Sequence, residues 1–196
     1  MIVPEIKSRL GQMIKGVQVV AATHGGLTRA YCSHWVCQVS FDEAIVMASV
    51  SPRHDTYDVM RSAGRFTVSV LAADQVAEGQ YFSYPGRRFR HLASEYLTEI
   101  DGNPVVPDCI AWFRCETFAI EESVGGVALD HHLFFARVTA AGDTGRLKDP
   151  PLLYSSRLGW RMTGDRAREP GRSIRDELLE RLAASGLDAG DAEPEL

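Results

Sequence analysis

Two glycine pairs constrain the fold of this chain more than any other feature. His24-Gly25-Gly26 follows the β-branched, apolar run Val17 to Thr23, and Val124-Gly125-Gly126 follows the alternating run Cys109 to Glu121. Paired glycines after strand-like runs mark tight reversals, so each run is expected to turn back on an antiparallel neighbour. The returning segments are Leu27 to Val39, with an irregular pattern, and Leu133 to Thr139. Ala44 to Val50 is nearly continuously apolar, which suits a strand buried on both faces. Phe66 to Leu71 and Leu152 to Tyr154 add further strands.

Helix signals are fewer and peripheral. Ile6, Leu10, Met13 and Ile14 recur at helical spacing behind Pro4, with Gly16 as the stop. Ser51-Pro52-Arg53-His54-Asp55-Thr56 reads as a turn into a short helix, Asp55 as its N-cap and Gly64 as its end. Asp74 to Phe82 predicts a second short helix. Residues 83–108 are polar, with Gly and Pro, and read as a long loop with some helix, a length more often functional than idle. The expected architecture is mainly β, a β-barrel with peripheral helices. A doubly wound sheet would need helices between most strands. No GxGxxG follows a strand and no P-loop is present, which argues against both nucleotide folds.

The 196 residues fit one domain. Residues 1–163 are expected to form it. Gly164 to Arg172 reads as a polar linker, Ser173 to Ala184 as an amphipathic helix (Ile174, Leu178, Leu179, Leu182), and the last ten residues as an acidic tail. Of the net charge of -5, a net of -4 lies from Asp165 onward. The remainder shows no basic stripe of the kind that tracks nucleic acid. No apolar run approaches the ~18–20 residues of a membrane span, and the N-terminus lacks a signal-peptide layout, so a cytoplasmic protein is expected. Cys32 and Cys37 would face opposite sides of a strand. Cys109 and Cys115 would share a face but lie ~20 Å apart, so reduced thiols are expected.

Neither GxSxG nor HExxH occurs. His131 and His132, adjacent on a strand, would point to opposite faces and chelate poorly, so no metal is expected. The turn Ser49 to Thr56 is more informative. It offers hydroxyls, the Arg53 guanidinium and the free N–H groups of a helix start, which together suit a phosphate. The same residues are also consistent with a plain turn capped by Asp55. Arg87-Arg88, after a Pro-Gly turn, is either a solvated basic pair or a second anion contact. Trp35 and Trp160 suit either core or the wall of a flat cofactor, whereas Trp112 on an alternating strand reads as core.

In order along the chain, these segments resemble the flavin reductase-like, FMN-binding split-barrel family, from about Gln12 to about Trp160. Residues 32–51, CSHWVCQVSFDEAIVMASVS, are similar to its T-A-S-W-F-x-Q-V-S-x-x-P-P-L-V signature. Residues 55–75, DTYDVMRSAGRFTVSVLAADQ, are similar to its short helix followed by G-x-F-x-V-N-V-L. Asp130-His131 sits where the family often has Gly-Asp-His, and Pro151-Leu152-Leu153-Tyr154 resembles its closing P-L-L-Y. The resemblance implies Cys32, Ser33, His34 and Trp35 beside the flavin ring. It implies Ser49, Val50, Ser51 and Thr56, with Arg53, at the ribityl and phosphate oxygens, and Arg88-Phe89 as a further contact. It also implies His131 near the nicotinamide.

This chain departs from the family at Cys32 for threonine, His34 for serine, Glu43-Ala44 for the paired prolines and Ser69 for asparagine. The activity implied is hydride transfer from NADH or NADPH to flavin N5, with FMN as cofactor and FAD as the alternative. Donors near the flavin would stabilise its reduced form. His34 is expected to act there, with a protonation near neutrality that makes the flavin potential depend on pH. A homodimer and a partner monooxygenase are implied as well. The alternatives are a non-catalytic flavin-binding or electron-transfer protein, a split barrel binding haem or a deazaflavin through His34, His131 or His132, and a structural domain.

Overall fold

The structure is a computed structural model that describes residues 3–83, 93–155, 159–162, 180–181 and 183–184. In chain order the elements are α1 (Pro4–Leu10), β1 (Lys15–Gly16), β2 (Gln18–His24), β3 (Leu27–Ser33), β4 (Val36–Gln38), β5 (Ile45–Val50), α2 (Asp55–Ala63), β6 (Arg65–Val70), α3 (Val76–Ser83), α4 (Ala93–Tyr96), β7 (Thr98–Ile100), β8 (Asn103–Val105), β9 (Ala111–Val124), β10 (Val127–Gly142), β11 (Leu152–Ser155) and β12 (Gly159–Met162).

The main sheet has seven antiparallel strands in the order β3-β2-β6-β9-β10-β5-β4. Its two outermost strands, β3 and β4, are consecutive in sequence, with only His34 and Trp35 between them. A flat sheet of seven strands would separate its edges by ~29 Å, at ~4.8 Å per strand. The chain from Ser33 to Val36 reaches at most ~11 Å. The sheet therefore curls until its edges meet, and His34-Trp35 is the seam of a barrel. Both glycine pairs do what their positions require. Gly25 and Gly26 have φ 56° and 77°, and Gly125 and Gly126 have φ 58° and 80°, the left-handed pairs that a two-residue hairpin demands.

Residues two apart on the strands share a face. Val20 and Ala22, Phe66 and Val68, Phe134 and Ala136, and Ala48 and Val50 form one cluster with Tyr57, Val59 and Met60 of α2. Val17, Val19, Leu71, Tyr81, Phe82, Val105, Val106, Cys109, Trp112 and Leu152 form a second. Since Val19 and Val20 belong to different clusters, β2 is buried on both faces. The sequence pattern points to Ala44–Val50 for that role, yet Ile45 to Met47 are only half-buried beside the short strand β4. A second sheet has the order β1-β11-β12 and is tied to the first where Leu152 N donates to the Leu71 carbonyl.

Other boundaries also move. α1 ends at Leu10 rather than at Gly16, because Gly11 caps it, and Ile6, Leu10, Met13 and Ile14 are exposed. The N-cap of α2 is His54, not Asp55. The His54 ring accepts from the Thr56 N–H, while Asp55 is the first helical residue. Within 83–108, the β7–β8 hairpin replaces part of the expected loop. Cys109 and Cys115 are both buried, but in different clusters. Gly164 to Arg172 lies outside the described residues. So does the Ser173–Ala184 helix, apart from residues 180–181 and 183–184, which are helical.

Gly142 stands opposite Trp112 in the β9–β10 ladder, and a Cβ there would lie 2.7–2.8 Å from the indole ring. Trp112 is buried in a core cluster, so the ring or the backbone must shift to admit the methyl group. Gly142→Ala is expected to cost ~1–3 kcal/mol of stability by overpacking. Urea melts of the two proteins check this, and equal midpoints would contradict it.

Candidate functional site

The seam creates the site. Regular pairing stops at Ser33, whose Oγ accepts the Trp35 N–H (3.1 Å), and the Trp35 carbonyl then accepts from Ser49 N (3.0 Å) before β4 pairs with β5. The break turns consecutive side chains toward one cavity of about 300 Å³. Tyr31, Cys32, Ser33, His34 and Trp35 line it from β3 and the seam, Ser49 from β5, and Ser51 and His54 from the turn into α2. Phe82 and Ser83 close it from the end of α3, and His131 from β10. A cavity of this size, with an aromatic lining and a few convergent polar groups, suits a small organic ligand.

The hydrogen bonds fix the wall. Tyr31 OH donates to the Ser49 carbonyl (3.2 Å), joining the two sides of the seam. The rings of His34 and Tyr154 stack with centroids 4.2 Å apart and planes 9° apart. His131 meets Trp35 edge-on at 4.9 Å, and its neighbour His132 faces away and bonds Tyr57 OH (2.7 Å). At the turn, Ser51 Oγ accepts from Arg53 N (3.3 Å) and the Ser51 carbonyl from His54 N (2.9 Å). Asp55 does not stand unopposed at the helix start, because Arg29 pairs with it at 3.3 Å.

Burial keeps Tyr31, Cys32 and His34 uncharged at neutral pH. It pushes the Cys32 thiol up to about 12 and raises the Tyr31 phenol as well, so neither supplies an anionic nucleophile. His34 is lowered to about 4, first by burial and then by the positive charge of Lys15. This corrects the expectation that His34 titrates near neutrality. The serine-to-histidine change puts an imidazole under a stacked tyrosine rather than in water. His34 also carries a consequence for stability. The unfolded chain binds one more proton than the folded chain between the ordinary value of 6.5 and about 4. The contribution of neutral His34 is therefore present above pH 6.5 and is lost as the pH falls through that window. Urea melts across this range are expected to show the loss, and His34→Gln is expected to flatten the slope. A slope identical in the variant would contradict the assignment.

Of the residues singled out from sequence, Cys32, Ser33, His34, Trp35, Ser49, Ser51 and His131 line this one cavity. Val50 points into the core. Arg53 is exposed on the turn, and Thr56 is fully buried in the first turn of α2. Arg88 and Phe89 lie outside the described residues. Tyr31, His54, Phe82 and Ser83 were missed. Tyr31 was legible, being two residues before Ser33 on the same strand face. Phe82 and Ser83 were not, since only tertiary packing brings α3 to β3.

The residues present fit a phosphorylated aromatic ligand. Ser33, Ser49 and Ser51 line the same cavity, and the N-terminus of α2 follows directly after Ser51. Thr56 Oγ1, buried at that N-terminus, has no hydrogen-bond partner among the described residues. Among those residues, no group of three or more His, Cys, Asp or Glu is placed to hold a metal ion, and no helix is long and apolar enough to cross a membrane.

Comparison with known proteins converges on one family. Residues 10–158 match the flavin reductase like domain. Over 140 residues the chain is 31% identical to the NADH-dependent flavin reductase StyB of Pseudomonas fluorescens, covering 71% of this chain and 78% of that protein. Over 153 residues it is 32% identical to the reductase component of 4-hydroxyphenylacetate 3-monooxygenase from Thermus thermophilus, covering 77% and 91%. The styrene monooxygenase flavin reductase of Pseudomonas putida S12 superposes with a TM-score of 0.65 at 23% identity, covering 81% and 96%, and shares the fold. The chain spans less than half the length of two other curated relatives, 43% of one and 45% of the other.

Proposed function

This chain belongs to the flavin reductase like domain family, and from that premise we propose that it is an NAD(P)H-dependent flavin reductase using FMN, with FAD as the alternative flavin. The observation that carries the reading is the seam cavity, where an aromatic-bordered space runs into hydroxyls and a helix N-terminus. A bound flavin would supply the two-electron chemistry, taking a hydride from reduced nicotinamide and passing the electrons on.

The protein's part is binding and orientation. Trp35 and Phe82 border the cavity as aromatic surfaces. Ser33 and Ser49 offer hydroxyls to ring and ribityl oxygens. Ser51, the α2 N-terminus and Arg53 provide the donors and positive charge that a phosphate needs. His131, edge-on to Trp35, borders the face open to a second ring. No acid–base pair is required for hydride transfer. Holding two rings at a reacting distance of ~3–3.5 Å supplies most of the acceleration.

Relatives named as reductase components of monooxygenases favour the same role here, reduced flavin handed to a partner monooxygenase. A homodimer belongs to the reading too, supported by exposed Ile6, Leu10, Met13 and Ile14. Free thiols at all four cysteines and the need for reduced nicotinamide fit the cytoplasm. The test is NADH and NADPH oxidation by purified protein with FMN, FAD or riboflavin as acceptor. Flavin-dependent, saturable oxidation is expected. Flavin binding without nicotinamide oxidation would favour an electron-transfer protein instead.

A further inference from the structure

The seam is held from outside the barrel sheet. Lys15 and Tyr154 are cross-strand partners in the separate β1–β11 pair. They meet the two consecutive seam residues, one each. Tyr154 stacks on His34 at 4.2 Å, and Lys15 Nζ sits 5.6 Å from the Trp35 ring centroid. Their base is fastened independently of the cavity. Val17 N donates to the Leu152 carbonyl, Leu152 N to Leu71, Leu71 N to Val17, and Ser155 Oγ to Gly11. Neither Lys15 nor Tyr154 is a cavity-lining residue.

We propose that Lys15 and Tyr154 act as a positioning clamp, fixing the ring planes of His34 and Trp35 at the seam and so setting the affinity of the pocket for the flavin ring. The proposal rests on the flavin reading above. The physical need is local. His34 and Trp35 lie between strands, where side chains lack the regular packing of a ladder. Two unclamped rings would have to be ordered by the ligand, a loss of roughly tenfold in affinity. Among the described residues, the titratable groups facing His34 are Lys15 of β1, Tyr154 of β11 and Cys32 of β3, whose Sγ is 4.0 Å from Nε2. Tyr154 covers the imidazole and Lys15 repels its cation. Weakening either should make His34 easier to protonate.

The test compares Tyr154→Phe, Tyr154→Leu and Lys15→Met with the wild type by two readouts, the dissociation constant for FMN and the NMR titration of the His34 ring. Tyr154→Phe keeps the stack and is expected to match the wild type in both. Tyr154→Leu is expected to weaken FMN roughly tenfold and to move the His34 midpoint upward from about 4 toward 6.5. Lys15→Met is expected to shift both in the same directions by less. Where Tyr154→Leu fails to fold, Lys15→Met carries the same two readouts. Wild-type FMN affinity and an unmoved His34 midpoint in Tyr154→Leu would overturn the clamp. A wild type that binds no flavin overturns the flavin reading instead. The His34 titration then decides the clamp alone, a moved midpoint supporting it and an unmoved one removing it.

Discussion

Ser51→Asp is expected to weaken FMN binding by about 100-fold while leaving riboflavin binding within a few-fold of the wild type. The substitution suits the turn, since a carboxylate oxygen can accept the Arg53 N–H as Ser51 Oγ does. What changes is charge. Aspartate would place an anion on the cavity wall at the start of α2, where the reading puts the phosphate. Two unit charges ~5 Å apart at an effective dielectric of 20 repel by ~3 kcal/mol, which is about 100-fold. Riboflavin lacks the phosphate and escapes the repulsion. Parallel titrations with the two flavins separate this effect from misfolding, which would weaken both alike. Equal losses would move the phosphate away from Ser51.

Much of this architecture was legible because local chemistry dictated it. Gly25-Gly26 and Gly125-Gly126 have no other comfortable use than tight hairpins, and both form them. The β7–β8 hairpin was read as loop, although its turn carries a signal. Asp101-Gly102, with φ 50° and 72°, is the aspartate–glycine pair that favours such turns, obscured by the shortness of the flanking strands. The barrel seam was not legible, because closure depends on which strands become edges. Only topology shows that β3 and β4 are far apart in the sheet and adjacent in the chain. The same limit applies to the site. Cys32 to Trp35, Ser49 and Ser51 follow from one stretch of sequence, whereas Phe82, Ser83 and the Tyr154 ring on His34 arrive from distant elements. The neutral state of His34 is likewise a property of its covering, which residue type alone does not reveal.

The largest effect on the fold itself is expected at Phe134. Its side chain is fully buried in the cluster beneath α2 and meets the Tyr57 ring edge-on at 5.5 Å. The neighbours belong to several elements, with Val50 on β5, Val68 on β6, Cys115 on β9 and Met60 on α2. A cavity there cannot collapse through one side-chain shift. Phe134→Ala is expected to cost ~3–5 kcal/mol, which lowers Tm by ~6–20 °C for a chain of this size. Phe134 does not line the cavity, so flavin affinity should fall only as far as the folded fraction does. A thermal melt with and without excess FMN checks both parts. A change below ~1 kcal/mol would mean that this cluster is not the centre of packing.

The central claim is that the cavity at the barrel seam binds flavin, and equilibrium titration of FMN with the wild-type protein tests it most directly. Following flavin fluorescence and the visible spectrum, the expected result is saturable quenching to one flavin per chain with a shifted flavin band. Unquenched fluorescence and an unshifted spectrum at micromolar protein would contradict the claim. They would mean that Cys32 and His34 have turned an inherited flavin wall to another ligand.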